Sequence, residues 1–275
     1  MQVLIAGVVA MALCGQAPAP AAAEAPREVD PDRRRQLEQF AADAAKYELT
    51  MLGPRPLRLE LLPQPVLNWD GSAFVWLKDG RPEAIGGLWK TVNARSGRIE
   101  YGHAFHSLSG AALTAKLGEQ LVWSPQAAGL ALRPVDGAEP AAGDSRRRLA
   151  QLRSLAREFT AILWKGGARS QLRMLTQPIY RYEPTAGAAK DGAIFAFTNT
   201  EFGTDPEALL ILEARESDGQ LRWEYAFARF HYAEMSGNHR DKEVWRVEDT
   251  WQERKQHVFG SGPFRDQVYY SVLQP

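Results

Sequence analysis

Residues 146–151, Arg-Arg-Arg-Leu-Ala-Gln, repeat the pattern of residues 34–39, Arg-Arg-Gln-Leu-Glu-Gln. Each stretch opens a pattern that predicts a helix followed by strands. More matches follow in the same order, offset by 112 to 124 residues: Tyr47 and Phe159, Leu57-Arg58-Leu59 and Leu172-Arg173-Met174, Pro82-Glu83-Ala84 and Pro206-Glu207-Ala208, Glu100-Tyr101 and Glu224-Tyr225, and Val122-Trp123 and Val244-Trp245. We therefore predict a tandem duplication of one unit.

Each copy is predicted to begin with one long helix. Asp30 and Asp144 are candidate N-caps, because an aspartate side chain accepts hydrogen bonds from the free backbone N–H groups of the first turn. An apolar stripe follows each cap and predicts helix as far as Met51 in the first copy and Leu163 in the second. Gly53-Pro54 and Gly166-Gly167 are predicted to end these helices.

Short apolar runs after each helix predict an antiparallel sheet. Turn residues such as Asp79-Gly80 and Asp218-Gly219 separate these runs. The predicted strands are 57–68, 72–78, 83–92, 97–108 and 119–124, then 171–182, 192–198, 207–216, 220–235 and 242–248, with a last run from Gln267 to Leu273. The expected fold class is α+β, with each copy a long helix packed on a curved antiparallel sheet in a cystatin-like or NTF2-like layout.

The chain divides into five predicted segments. The apolar run Val3–Leu13 is too short to span a bilayer and is typical of a signal-peptide core, followed by small residues near Ala23. We predict a signal peptide over 1–23, a first helix-plus-sheet repeat over 30–133, a linker over 134–143, a second repeat over 144–251 and a C-terminal extension over 252–275. The predicted location is outside the cytoplasm: periplasm, cell envelope or extracellular space.

Composition narrows the classes of partner. The 33 basic residues balance the 33 acidic ones, so the chain as a whole has no net charge to attract nucleic acid or an anionic membrane. The only cysteine, Cys14, lies in the predicted signal peptide, so no thiol chemistry is expected in the mature chain. No metal-ligand pattern, phosphate-binding loop or nucleophile elbow is present. We expect no cofactor, no metal site and no transmembrane segment in the mature chain.

Several segments resemble a known family. They include Ala73-Phe74-Val75-Trp76, Phe105-His106-Ser107-Leu108-Ser109, Gln177-Pro178-Ile179-Tyr180-Arg181-Tyr182 and Trp223-Glu224-Tyr225-Ala226. They are similar to segments of a family of uncharacterised exported bacterial proteins, over about residues 32 to 248. The resemblance implies export, and it implies no catalytic residue, because the family carries no established activity.

His103, Tyr101 and His106 are the candidate ligand-binding residues. The sequence alignment of the two copies places Phe227 and Phe230 opposite His103 and His106, so the histidines belong to the first copy alone. On a strand, a spacing of three puts the histidines on opposite faces, which argues against one shared metal ion. His103 is interpreted either as a hydrogen-bonded core residue or as the polar group of a pocket between helix and sheet.

The absence of a catalytic constellation favours a non-enzymatic binding or interaction module. Its ligand surface is predicted at the helix–sheet pocket or between the repeats, and its partner is a small ligand, a glycan or an envelope protein. Two alternatives stay open. One is a hydrolase of envelope or extracellular polymers that uses Glu or Asp with His103 or His106, and the other is a structural component of the envelope.

Overall fold

A computed structural model describes residues 31–51, 53, 55–62, 71–93, 95–199, 205–250 and 267–274. The predicted signal peptide lies outside these residues, as does the predicted cap Asp30. The first half contains α1 (Pro31–Ala44) and the strands β1 (Tyr47–Met51), β2 (Arg58–Leu61), β3 (Gly71–Lys78), β4 (Arg81–Val92), β5 (Ile99–Ser107), β6 (Leu113–Leu117) and β7 (Gln120–Trp123).

The second half repeats this order with extra short strands. It contains β8 (Arg133–Pro134), α2 (Ser145–Ala156), β9 (Phe159–Lys165), β10 (Ala168–Gln171), β11 (Arg173–Met174), β12 (Tyr180–Tyr182), β13 (Ala189–Thr198), β14 (Pro206–Ser217), β15 (Gln220–Arg229), β16 (Glu234–His239) and β17 (Lys242–Val247). The last described strand is β18 (Tyr269–Gln274).

The described strands form four antiparallel sheets. Two larger ones run in the order β18-β5-β4-β3-β2 and β11-β13-β14-β15-β8, and each is built on a meander of three consecutive strands. Asp79-Gly80 forms the turn between β3 and β4, and Asp218-Gly219 forms the turn between β14 and β15. All four residues have positive φ angles, as the turn sequence predicts. The two smaller sheets run in the order β1-β6-β7 and β10-β9-β16-β17.

Both faces of each large sheet are covered. Side chains from the two inner faces share one apolar cluster that includes Val75, Ile85, Ile194 and Ile211, so the large sheets pack against each other. On its outer face, the first sheet packs against α1 and the sheet β1-β6-β7, around Trp76 and Phe105. The second sheet packs in the same way against α2 and the sheet of β9, around residues such as Phe195 and Leu152.

The predicted fold class is wrong. Strands make up 54% of the structure and helices 12%, and the sheets curl into a half-barrel in place of a long helix packed on a sheet. Both predicted helices stop early, because Tyr47–Met51 and Phe159–Lys165 are strands. The pattern misled because a spacing of four residues satisfies the periods of both helix and strand, so Tyr47 with Met51 and Phe159 with Leu163 fit either.

Strand positions were predicted better than helix lengths. The meander strands and β18 lie within a few residues of their predicted positions, whereas the predicted run 220–235 is β15 and the start of β16. The predicted cap Asp144 is confirmed, since its Oδ1 accepts a hydrogen bond of 2.9 Å from the backbone N–H of Arg147. No helix among the described residues is long and apolar enough to span a bilayer.

Candidate functional site

Tyr101 lines a pocket between α1 and the first large sheet, which we call the helix–sheet pocket. Its volume is about 360 Å³, within the range of small-molecule sites. Its walls are mainly apolar, and its rim carries Gln39, Asp43 and Lys46, with the Lys46 ammonium 2.6 Å from Asp43. The other lining side chains include Phe40, Tyr47, Leu88 and Leu117.

His103 is not among the residues that line this pocket, but it contacts one of them. Its Nδ1 and the hydroxyl of the lining residue Tyr47 share a hydrogen bond of 3.0 Å. Rings of Phe105 and Tyr270 also contact the imidazole. Burial lowers the pKa of His103 to about 4, so the ring is neutral at physiological pH. His103 therefore supports the pocket wall through Tyr47.

His106 lies on the opposite face of β5, as its spacing from His103 predicts. It lines a separate cavity of about 280 Å³ together with Arg229 and Tyr269. Its Nδ1 donates a hydrogen bond of 2.7 Å to the Ser107 carbonyl. Burial, together with the neighbouring Arg229, lowers the pKa of His106 to about 4. The structure thus separates the three predicted residues: Tyr101 lines the helix–sheet pocket, His103 supports it, and His106 faces another cavity.

A third cavity, the seam cleft, lies where the two halves meet and has a volume of about 560 Å³. Arg81 and Glu83 of the first half and Arg215 of the second line it. Behind them, Glu213 is fully buried; Arg81 Nε donates to it at 2.8 Å and Tyr182 Oη at 2.8 Å. The sequence pattern identified Glu83 as a repeated residue, whereas nothing in the sequence predicted that Glu213 contacts Arg81.

The two halves make matching aromatic contacts. Tyr47 meets Phe105 edge-on at 5.4 Å between ring centroids, and Phe105 stacks on Trp123. In the second half, Phe159 meets Phe227 edge-on at 5.9 Å, and Phe227 stacks on Trp245. Two backbone hydrogen bonds match as well. The N–H of Leu108 donates to the carbonyl of Glu83, and the N–H of Phe230 donates to the carbonyl of Glu207.

These contacts correct the sequence alignment of β5 with β15 by two residues. Phe227 takes the place of Phe105, so Tyr225 takes the place of His103 and Trp223 that of Tyr101. Consistent with this, Tyr225 contacts Phe159 at 4.8 Å, as His103 contacts Tyr47. The second half therefore has an aromatic ring where the first half has an imidazole.

The matching site of the second half is closed. The segment 133–141 crosses it, with the N–H of Val135 donating to Trp223 at 2.9 Å and that of Ala141 to Leu221 at 2.9 Å. Val135, Ala138 and Ala141 pack into the apolar cluster beneath. Trp223 is 2% exposed, whereas Tyr101 is 49% exposed. The helix–sheet pocket is thus open in the first half and filled by the protein's own chain in the second.

Within the described residues, no group of three or more histidine, cysteine, aspartate or glutamate side chains is placed to hold a metal ion. No family model, no curated protein and no solved structure matches the chain. The resemblance to exported bacterial proteins of unknown function therefore stays a prediction.

Proposed function

We propose that the protein is a non-enzymatic binding module whose ligand is an apolar or amphipathic small molecule held in the helix–sheet pocket. One observation carries the proposal: the pocket is open beside a half-exposed Tyr101, whereas segment 133–141 fills the matching site of the other half. Apolar walls with a few polar rim groups are typical of small-molecule sites. Tyr101 would contact the ligand, and His103 would position Tyr47.

The proposed module acts outside the cytoplasm, since the apolar run Val3–Leu13 is typical of a signal peptide. Export is tested by measuring the intact mass of the protein recovered from the periplasm of a bacterial host. We expect that mass to show the loss of residues 1–23. The tandem duplication is likewise a proposal, supported by the matching ring contacts of the two halves.

A thermal-shift screen followed by calorimetry tests the binding proposal. The probes are decanoate, dodecanoate, hexadecanoate, a muropeptide and short glycans. A ligand that binds only the folded state raises the melting temperature, by a few degrees at about a hundredfold excess over its Kd. Tyr101→Ala should abolish this shift while leaving the unliganded melting temperature almost unchanged, because half of Tyr101 is already exposed.

Leu121→Ala is the matched control, since Leu121 is an exposed apolar residue that does not line the helix–sheet pocket. It should keep the ligand-induced shift. A ligand whose shift survives Tyr101→Ala binds elsewhere and contradicts the proposed site. A screen without any shift contradicts the small-molecule proposal and favours a protein partner.

A hydrolase is the second candidate, and the seam cleft is the feature that favours it. Burial raises the pKa of Glu83, which would help that carboxyl act as a general acid. Glu83 also pairs with Arg81 at 3.1 Å. A hydrolase would therefore use Glu83 of the seam cleft, because His103 and His106 lie on opposite faces of β5 and are both buried. Hydrolysis of peptidoglycan that is lost in Glu83→Gln would support this candidate over the binding module.

A further inference from the structure

The β4–β5 hairpin ends in an ordered turn. Among the described residues, pairing of β4 with β3 reaches Trp89, and pairing of β5 with β18 reaches Tyr101. The hairpin itself continues through Lys90–Val92 and Ile99–Glu100 to a turn. In that turn the Asn93 side chain accepts hydrogen bonds from the backbone N–H groups of Arg95 and Ser96, so the tip has a defined conformation.

Aliphatic side chains are exposed at this tip. Val92 is 65% exposed and Ile99, its cross-strand partner, is 56% exposed. With the neighbouring Tyr101, they make up three of the five exposed large apolar residues described, and the other two, Leu61 and Leu121, lie on other strands. Clustered exposed apolar residues mark an interaction surface, whereas isolated ones are ordinary.

Basic residues surround these aliphatic side chains. Residues 90–101 carry three cations, Lys90, Arg95 and Arg98, and one anion, Glu100. Glu100 accepts a hydrogen bond of 2.6 Å from Asn93. Arg95 and Arg98 are both exposed, and neither forms an ion pair within the part of the chain that the structure describes. The tip therefore presents positive charge next to apolar surface.

The matching hairpin of the second half lacks both properties. Residues 212–223 carry two cations and three anions. The Leu221 carbonyl there accepts a hydrogen bond from the backbone N–H of Ala141, and Trp223 is buried. The exposed basic and aliphatic tip is therefore particular to the first half, and the shared architecture does not require it.

We propose that the tip of the β4–β5 hairpin docks the protein onto an anionic lipid bilayer. Val92 and Ile99 enter the interface between headgroups and acyl chains, and Tyr101 lies at the headgroup level that tyrosine favours. Arg95 and Arg98 bind the anionic headgroups, a contribution that falls as the salt concentration rises. The helix–sheet pocket opens beside the same strands, so docking places its mouth near the membrane.

A fluorophore at the tip tests the docking directly. An environment-sensitive dye is attached at position 96 of the full chain in the S96C/C14S variant and, as a matched control, at position 217 in the S217C/C14S variant. Ser96 and Ser217 are both exposed at hairpin turns. Vesicles of phosphatidylglycerol mixed with phosphatidylcholine should shift the emission to the blue at position 96 and leave position 217 unchanged. Equal responses at the two positions, or none at 96, would overturn the proposal.

Variants of the tip separate the contribution of its basic side chains to membrane binding from that of its apolar side chains. Arg95→Glu with Arg98→Glu should weaken binding to the anionic vesicles at least about tenfold, since each basic residue near an anionic surface contributes about fivefold. Val92→Ser with Ile99→Ser should remove the blue shift, whereas Leu121→Ser should keep it. All variants share the same N-terminal residues, so their differences report the hairpin. Unchanged binding in both double variants, or equal binding to pure phosphatidylcholine, would contradict docking by this tip.

Discussion

Glu207 is a buried carboxyl in an environment that disfavours its charge. It is 7% exposed, and its Oε2 has no hydrogen-bond partner among the described residues. The Nδ1 atom of His231 lies 3.9 Å from this oxygen and accepts a hydrogen bond from the backbone N–H of Ala233. Burial therefore raises the pKa of Glu207 from 4.5 to about 7.

This shift predicts a stability loss with rising pH. A carboxyl whose folded pKa is raised stabilises the fold below its unfolded pKa of 4.5, and that stability is lost as the pH rises through about 7. The loss is of the order of 3 kcal/mol. Glu207→Gln should thus leave the urea midpoint almost unchanged near about pH 4 and raise it near about pH 8. No gain at the higher pH would show that the Glu207 carboxylate is solvated.

His103 and His106 act in the opposite sense. Their folded pKa values of about 4 lie below the ordinary value of 6.5. Their contribution to the stability of the fold is therefore present above pH 6.5 and is lost as the pH falls through about 4. The Glu207→Gln comparison is unaffected, because both proteins carry the same histidines.

At the scale of elements, α2 shows how a short helix is fixed at its start. Asp144 caps it, and Arg148, 8% exposed, donates from Nε to Asp191 on β13 at 2.7 Å. The cap and this ion pair lie within the first turn, so they stabilise the same end of the helix.

Removing the cap should destabilise the whole protein. Asp144→Ala should lower the free energy of unfolding by about 1 kcal/mol, because the N–H groups of the first turn lose their acceptor. Asp144→Asn is the control, since asparagine caps helices as well as aspartate does. Urea denaturation of the three proteins measures the difference. A loss as large in Asp144→Asn would point to the carboxylate charge, and the cap would then not be the cause.

The sequence indicated much of the sheet and little of the site. The meander strands follow from apolar runs bounded by Asp-Gly turns, which are local signals. The change from helix to strand at Tyr47 and Phe159 depends on the sheets they cover, which no local pattern reports. Tyr101 was identified from its position on a strand. That its site is open, whereas residues 133–141 cover the matching Trp223, depends on a contact between distant segments.

At the scale of the whole molecule, a buried ion-pair network crosses the seam between the halves. Arg81 from the first half and Arg215 from the second both bind Glu213, whose side chain is fully buried. The side chain of Arg81 is 16% exposed, so solvent screens its charge only weakly.

Breaking this network should be costly. Arg81→Met should lower the free energy of unfolding by about 3 kcal/mol, because a buried carboxylate then loses one of its cations. Lys78→Met is the control on the same hairpin, since Lys78 is exposed, and it should change stability by less than about 0.5 kcal/mol. Chemical denaturation compares them, and equal small effects would mean that Arg215 and Tyr182 suffice to hold Glu213.

The strand β18, the last described strand, pairs with a strand of the first half. It pairs with β5 from His106 and Tyr269 to Tyr101 and Gln274, across a sequence separation of 163 residues or more. The edge of the first sheet is therefore completed by residues that a ribosome makes after the entire second half. Such non-local pairing slows folding. A growing chain that cannot close its first sheet stays incompletely folded until synthesis reaches these residues, which keeps it accessible to machinery that acts on unfolded polypeptides.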